Sequence, residues 1–222
     1  MRRILKNNLF VIVVFTFVGH GNSQDFQGYI EYEVNVKKTD STFKDDEFLK
    51  GLGNKSIFYY TDGSYFQSDE NSIFEFGYLD SRLKQFGLKY KNNDTLYLFD
   101  ATKESKIRLI KTEKSSSTKV ILGHKCSEIN FYVQNIVDGY NLVYNLYYTD
   151  ELKIHGEKFE GIKFEFYDKF YGELNSIPLE LNMQYPIFNL QYTAIKIVQN
   201  DTVSVLELIE NSRMGLIVKK IN

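Results

Sequence analysis

The chain has 222 residues, with 27 Lys plus Arg against 29 Asp plus Glu and a formal net charge of −2. A near-neutral chain without a basic cluster excludes nucleic acid and anionic membrane surfaces as partners, since both are bound through local positive charge. The single cysteine, Cys126, excludes an internal disulfide, so stability must come from a packed core that this length can supply.

The first elements are those of an export signal. Arg2, Arg3 and Lys6 make a basic start, residues 9–18 are apolar apart from Thr16, and Gly21 and Ser23 are small residues before Gln24. This is the pattern of a cleaved secretory signal peptide over residues 1–23. Its apolar run is roughly 10 residues, against about 20 needed to span a bilayer. No second long apolar segment follows, so residues 24–222 are expected not to span a membrane. No cysteine stands at the cut to carry a lipid anchor. Removing the three basic residues of the signal leaves 24 Lys plus Arg against 29 Asp plus Glu, a net charge of −5. The expected product is one periplasmic or secreted domain, untethered.

Past the signal the apolar period is 2 almost throughout. Ile30, Tyr32, Val34 and Val36 alternate with polar neighbours, as in a half-buried strand. Within the polar stretch 37–55, Ser41 or Thr42 could cap a short helix carrying Phe43, Phe48 and Leu52 and stopped by Gly53. Residues 56–60 and 64–67 flank Asp62-Gly63, a strong two-residue hairpin signal. Further strands are predicted over 72–78, 83–90, 95–99 and 106–111. The run 113–119, with three consecutive serines, reads as a surface turn. Strands at 119–122, 125–135 and 140–149 follow, the last two joined through Asp138-Gly139.

One segment departs from period 2. Phe159, Ile162, Phe166 and Phe170 recur at three and four residues, which predicts a helix over 159–171 ended by Gly172. Ile162, Phe164 and Phe166 also alternate as a strand would; the longer helical stripe is the preferred reading. Leu179, Leu181, Met183 and Tyr185 then alternate, as do Phe188, Leu190, Tyr192 and Ala194. Parity flips at Ile195 and Ile197, the mark of a bulge. Strands over 202–209 and 216–221 complete the chain. Ten to twelve strands with hairpin-length connections predict an antiparallel meander that curls or closes.

Four stretches carry a family resemblance: Gly28-Tyr29-Ile30-Glu31-Tyr32-Glu33, Val120-Ile121-Leu122-Gly123-His124-Lys125-Cys126, Tyr148-Thr149-Asp150-Glu151-Leu152 and Ile177-Pro178-Leu179-Glu180-Leu181. Together they resemble a family of exported bacterial proteins of unknown function that is similar in fold to the LolA/LolB lipoprotein carriers. The resemblance implies a mainly β domain: a strongly curved, unclosed antiparallel half-barrel with one or two short helices over its hollow. In the carriers that hollow holds acyl chains. A closed lipocalin-like barrel is the alternative, because closure removes both sheet edges.

Chemistry-bearing clusters are few. His124, Cys126 and Glu128 fall on one face of a strand, with residue types suited to zinc or to a His-assisted nucleophilic cysteine. The competing reading, a polar strand face with a small buried thiol, needs no fourth ligand and is preferred. The acidic runs Asp45-Asp46-Glu47 and Asp69-Glu70 lack calcium-loop spacing. No Gly-x-Ser-x-Gly elbow or Gly-rich phosphate loop is present, so no catalytic residue, cofactor or metal is assigned.

The remaining clue is 17 Tyr and 18 Phe. They either fill an ordinary core or line an apolar hollow for a small molecule or lipid. The inward candidates are Ile30, Tyr32, Val34, Leu142, Tyr144, Leu146, Leu181, Met183, Leu190 and Tyr192. The stripe Phe159, Ile162, Phe166 and Phe170 would be the cover. The expected function is a carrier or sensor of an apolar ligand such as acyl chains. The alternative is a ligand-free structural or interaction module of the cell envelope, with a hydrolase third.

Overall fold

The computed structural model of the chain describes residues 25–104, 106–200 and 203–221. The expected signal peptide, residues 1–23, and its cut at Gln24 lie outside them. The strands are β1 (Gly28–Lys38), β2 (Leu52–Thr61), β3 (Ser64–Ser72), β4 (Phe74–Asp80), β5 (Gln85–Tyr90), β6 (Thr95–Asp100), β7 (Ile107–Ile121), β8 (His124–Asn135), β9 (Asn141–Lys153), β10 (Ser176–Gln184), β11 (Phe188–Gln199) and β12 (Ile217–Ile221). The helices are α1 (Asp46–Lys50), α2 (Tyr167–Leu174) and α3 (Val205–Arg213), with 3-10 turns at Gly156–Phe159 and Phe164–Phe166. None of these helices is long and apolar enough to cross a membrane.

All twelve strands form one sheet in the order β12-β6-β5-β4-β3-β2-β1-β11-β10-β9-β8-β7. Two antiparallel meanders, β1–β6 and β7–β11, are joined where β1 pairs with β11. The sheet stays open, ending at β12 and β7, which overturns the closed-barrel alternative. The free edge β7 explains why: it is long, exposed along most of its length and studded with Lys, Glu and Ser, features that discourage edge pairing. The pure meander also needs correction. The strand β12 runs parallel to β6, and a parallel neighbour requires a crossover, which α3 supplies.

Local chemistry accounts for most turns. Asp62 (φ 47°) and Gly63 (φ 81°) are both left-handed and close the β2–β3 hairpin, as their sequence predicts. A second left-handed pair, Leu122 (φ 50°) and Gly123 (φ 87°), turns β7 into β8. The serine run is therefore no turn: β7 passes through it, and its ladder with β8 is interrupted between Lys114 and Thr118. Strands β8 and β9 pair antiparallel as expected. Their connection, however, is a longer loop in which Asn135 Oδ1 accepts from the Val137 and Asp138 N–H groups. The expected bulge is present: Tyr32 faces Ala194 and Glu31 faces Lys196, so Ile195 has no partner across the ladder.

The helices depart most from expectation. Asp45, not Ser41 or Thr42, caps α1 by accepting from the Phe48 N–H at 2.9 Å. Residues 203–209 do not make a strand. Ser204 accepts from the Glu207 N–H and starts α3, which buries Val205 and Ile209 one turn apart. The expected helix over 159–171 is broken into the two 3-10 turns and α2. Its middle amides are diverted, since the Lys163 and Phe164 N–H groups both donate to Ala101 O at 2.8 and 3.1 Å. Glu165 and Phe166 then take left-handed backbone, and α2 runs through Gly172 to end on left-handed Asn175.

Three apolar clusters result. The main core lies between the inner sheet face and the 156–174 segment, joining Ile30, Tyr65, Phe131, Leu146, Phe159 and Phe170. On the opposite face α3 packs Val205 and Ile209 onto Phe66, Phe76, Tyr78, Leu96 and Leu98. A small cluster of Val34, Leu49, Phe188 and Leu190 sits under α1.

Candidate functional site

A cavity of about 420 Å³ lies in the hollow between the inner sheet face and the segment 164–171. That size is within the ordinary range for small-molecule sites, roughly 300–1,000 Å³. The sheet contributes Tyr32 from β1, Phe58 from β2, Tyr65 and Gln67 from β3 and Phe86 and Leu88 from β5. Across the junction of the meanders come Tyr144 from β9, Leu181 and Met183 from β10 and Tyr192 from β11. The cover supplies Phe164, Glu165, Phe166, Tyr167, Phe170 and Tyr171. Ser56, Phe74, Ile177, Pro178 and Tyr185 complete the wall. Two further depressions, of about 650 and 550 Å³, have only Tyr132 and Tyr185, and only Phe76, as aromatic lining.

The cover is held by rings. Phe164 stacks on Phe86 with centroids 4.4 Å apart, Phe159 stacks on Tyr171 at 4.0 Å, and Phe170 stacks on Phe131 at 5.1 Å. Such pairs add about 0.5–1.5 kcal/mol each beyond area burial. Phe166 packs near Phe131 and Tyr144, which offsets the cost of its left-handed backbone.

Few polar groups face this space, and most have partners. The Tyr32 hydroxyl donates to Pro178 O at 2.8 Å, and the Tyr65 and Tyr167 hydroxyls meet at 2.8 Å. Gln67 Nε2 donates to Asp69 Oδ1 at 3.1 Å. Burial raises the Asp69 carboxyl, while the bonds from Gln67 and Ser56 act against that rise. Glu165 is different. It is half-buried on the cavity wall, and burial alone pushes its carboxyl from an ordinary 4.5 up to about 7. Its charge in turn adds to the effect of burial in raising the hydroxyls of Tyr65, Tyr144, Tyr167 and Tyr185, the last to about 12.

The fourteen sequence-derived positions divide. Tyr32, Tyr144, Phe166, Phe170, Leu181, Met183 and Tyr192 are on the wall. Ile30, Leu142, Leu146, Phe159 and Ile162 are sealed in the adjoining core. Val34 and Leu190 pack beneath α1, away from the cavity. Strand parity assigns a residue to a face but not to a depth along that face, so neighbours two apart separate into core and wall. Missing from the sequence reading were Phe58 and Tyr65, whose parity within the Asp62-Gly63 hairpin would have found them. Glu165 had no such signal, because its placement depends on a left-handed residue inside a helical pattern.

His124, Cys126 and Glu128 do not converge. His124 Nδ1 meets Glu151 Oε2 at 2.6 Å, Cys126 is fully buried with its thiol raised by burial, and Glu128 is bound by Asn145 Nδ2. No group of three His, Cys, Asp or Glu side chains that could hold a metal occurs among the described residues. No protein-family model matches the chain, and no curated protein is significantly similar to it.

Proposed function

We propose that the protein is an exported carrier or sensor for an apolar small molecule, such as lipid acyl chains, held in the hollow of the open sheet. The observation that carries this reading is the aromatic-walled cavity of about 420 Å³ beneath a separate covering segment. Its wall draws on both meanders, so the site exists only in the assembled sheet. The cover reaches the sheet mainly through side-chain rings, together with the amide bonds to Ala101. Neither these contacts nor the Tyr65–Tyr167 hydroxyl bond is a rung of a strand ladder. A fold kinship with the LolA/LolB carriers and an envelope location belong to the same proposal. Their support is the open half-barrel with a short-helix cover and the signal-like residues 1–23.

Native mass spectrometry of protein purified from its host tests the reading. The expected spectrum shows a fraction of the protein carrying added mass that organic extraction removes. A neutral fluorescent apolar probe should bind and be displaced by the extract. An unloaded protein that binds no apolar probe would leave the second reading, an interaction module of the envelope. One observation favours that second reading: Ile30, Leu142, Leu146, Phe159 and Ile162 make solid core beside the cavity.

A further inference from the structure

The cavity wall holds one carboxyl group, Glu165, and no Lys, Arg or His among the described residues. Among the described residues Glu165 has no hydrogen-bond or ion-pair partner, in contrast to Tyr32, Tyr65 and Gln67 on the same wall. An unpaired carboxylate in an apolar site is costly unless a complementary group arrives. Around it stand tyrosines from several elements: Tyr65 on β3, Tyr144 on β9, Tyr167 on α2 and Tyr185 between β10 and β11. Aromatic rings attract cations through their quadrupole, and quaternary ammonium groups are recognised by aromatic cages. We infer that the cavity takes an amphiphile with a cationic nitrogen head, paired with Glu165 among these tyrosines, its apolar tail lying against Phe58, Leu88, Leu181 and Met183.

This inference rests on the apolar-cavity reading and adds the head-group class. A carboxylate head would meet a like charge at Glu165. A cation restores the charged form of Glu165, so head-group preference must follow its ionisation. The surrounding tyrosines are held above their ordinary value and stay neutral between pH 5 and 8. Lys163, which is exposed, and Asp168 stand near Glu165 along the covering segment, and Asp69 is set back behind Gln67.

Two probes separate the head from the tail: decyltrimethylammonium and decanol, neither of which changes charge between pH 5 and pH 8. Calorimetric titration of the full protein at pH 8 should show the ammonium binding about tenfold tighter than the alcohol, a difference of about 1.4 kcal/mol. At pH 5 the preference should fall to about threefold or less. Glu165→Gln should lose the preference at both pH values, and Asp69→Asn should keep it and its pH dependence. Equal binding of the two probes at pH 8 would overturn the head-group assignment while leaving the apolar cavity standing. So would a preference independent of pH, or one that survives in Glu165→Gln. Failure of both probes to bind would overturn the cavity reading itself. If Glu165→Gln does not fold, the wild-type pH comparison together with Asp69→Asn decides, since loss of the pH dependence in Asp69→Asn would transfer the effect away from Glu165.

Discussion

Glu165 couples the site to the stability of the fold. Its folded value, about 7, lies above its ordinary 4.5. Between these values the folded state binds more protons than the unfolded state, so stability contributed by the protonated form is fully present below about 4.5 and is lost as pH rises through about 7. Urea unfolding at pH 5 and pH 8 should show Glu165→Gln less sensitive to this rise than wild type, by about 1–3 kcal/mol. Equal pH sensitivity of the two proteins would mean that the folded carboxyl is not desolvated. Cys126 offers a second test at this scale. It is fully buried, its Sγ lies 3.5 Å from His124 O, and burial raises its thiol. A thiol reagent should label it only as the protein unfolds. Cys126→Ser should cost about 1–3 kcal/mol, the range for a polar group placed in a core. Fast labelling of the native protein would show instead that the site is open.

At the scale of elements, α3 depends on a glycine in the sheet. Tyr78 is fully buried, its ring lies across β5, and a Cβ on Gly87 would come within 2.2 Å of Tyr78 Cζ. The hydroxyl of the same tyrosine accepts from Arg213 Nε at 2.8 Å, and the Arg213 guanidinium also donates to Gln85 at 3.0 Å. The ring thus pins the end of α3 to the outer face. Gly87→Ala should displace Tyr78 and cost about 1–3 kcal/mol, the usual penalty for overpacking. Hydrogen exchange should rise in α3 together with β4 and β5. A variant as stable as wild type, with unchanged exchange, would show that Tyr78 has room to move. The covering segment obeys a different logic. Its stripe is helical in period, yet two of its amides bond to Ala101 and two residues turn left-handed, so only α2 completes a helix.

For the whole molecule, the open sheet could have been two separable halves, since among the described residues the meanders join through the pairing of β1 with β11. The core argues otherwise. Tyr65 of the first meander and Phe131 and Leu146 of the second belong to one cluster, tied together by Phe159, Phe166 and Phe170 of the cover. Unfolding should therefore be a single transition, with near-ultraviolet and far-ultraviolet signals coincident in urea. Two separated transitions would mean that the meanders fold independently and that the cavity between them can open along the β1–β11 line.

Sequence alone determined most of the strands, because period 2 and left-handed Asp-Gly chemistry act within a few residues, but it read the start of α3 as strand and cut β7 at its serines. It placed β1, β10 and β11, the Asp62-Gly63 hairpin and the bulge at Ile195 without any knowledge of partners. It gave all fourteen apolar positions as lining or covering the hollow, and the structure puts seven of them on the wall and seven in core, since parity and stripe report only which side is wet. It could not separate wall from core, as Tyr32 and Ile30 share a strand and a face and differ only in what lies opposite. Ser204-x-x-Glu207 was a readable capping signal, overridden there by a short alternation of apolar residues. The parallel docking of β12 on β6 and the open edge at β7 are long-range pairings, written in no local pattern. Glu165 is the sharpest case. In sequence it is a polar residue on a helical stripe, and only the diverted amides of Lys163 and Phe164, bonding to Ala101 some sixty residues earlier, bring its carboxyl to the cavity wall.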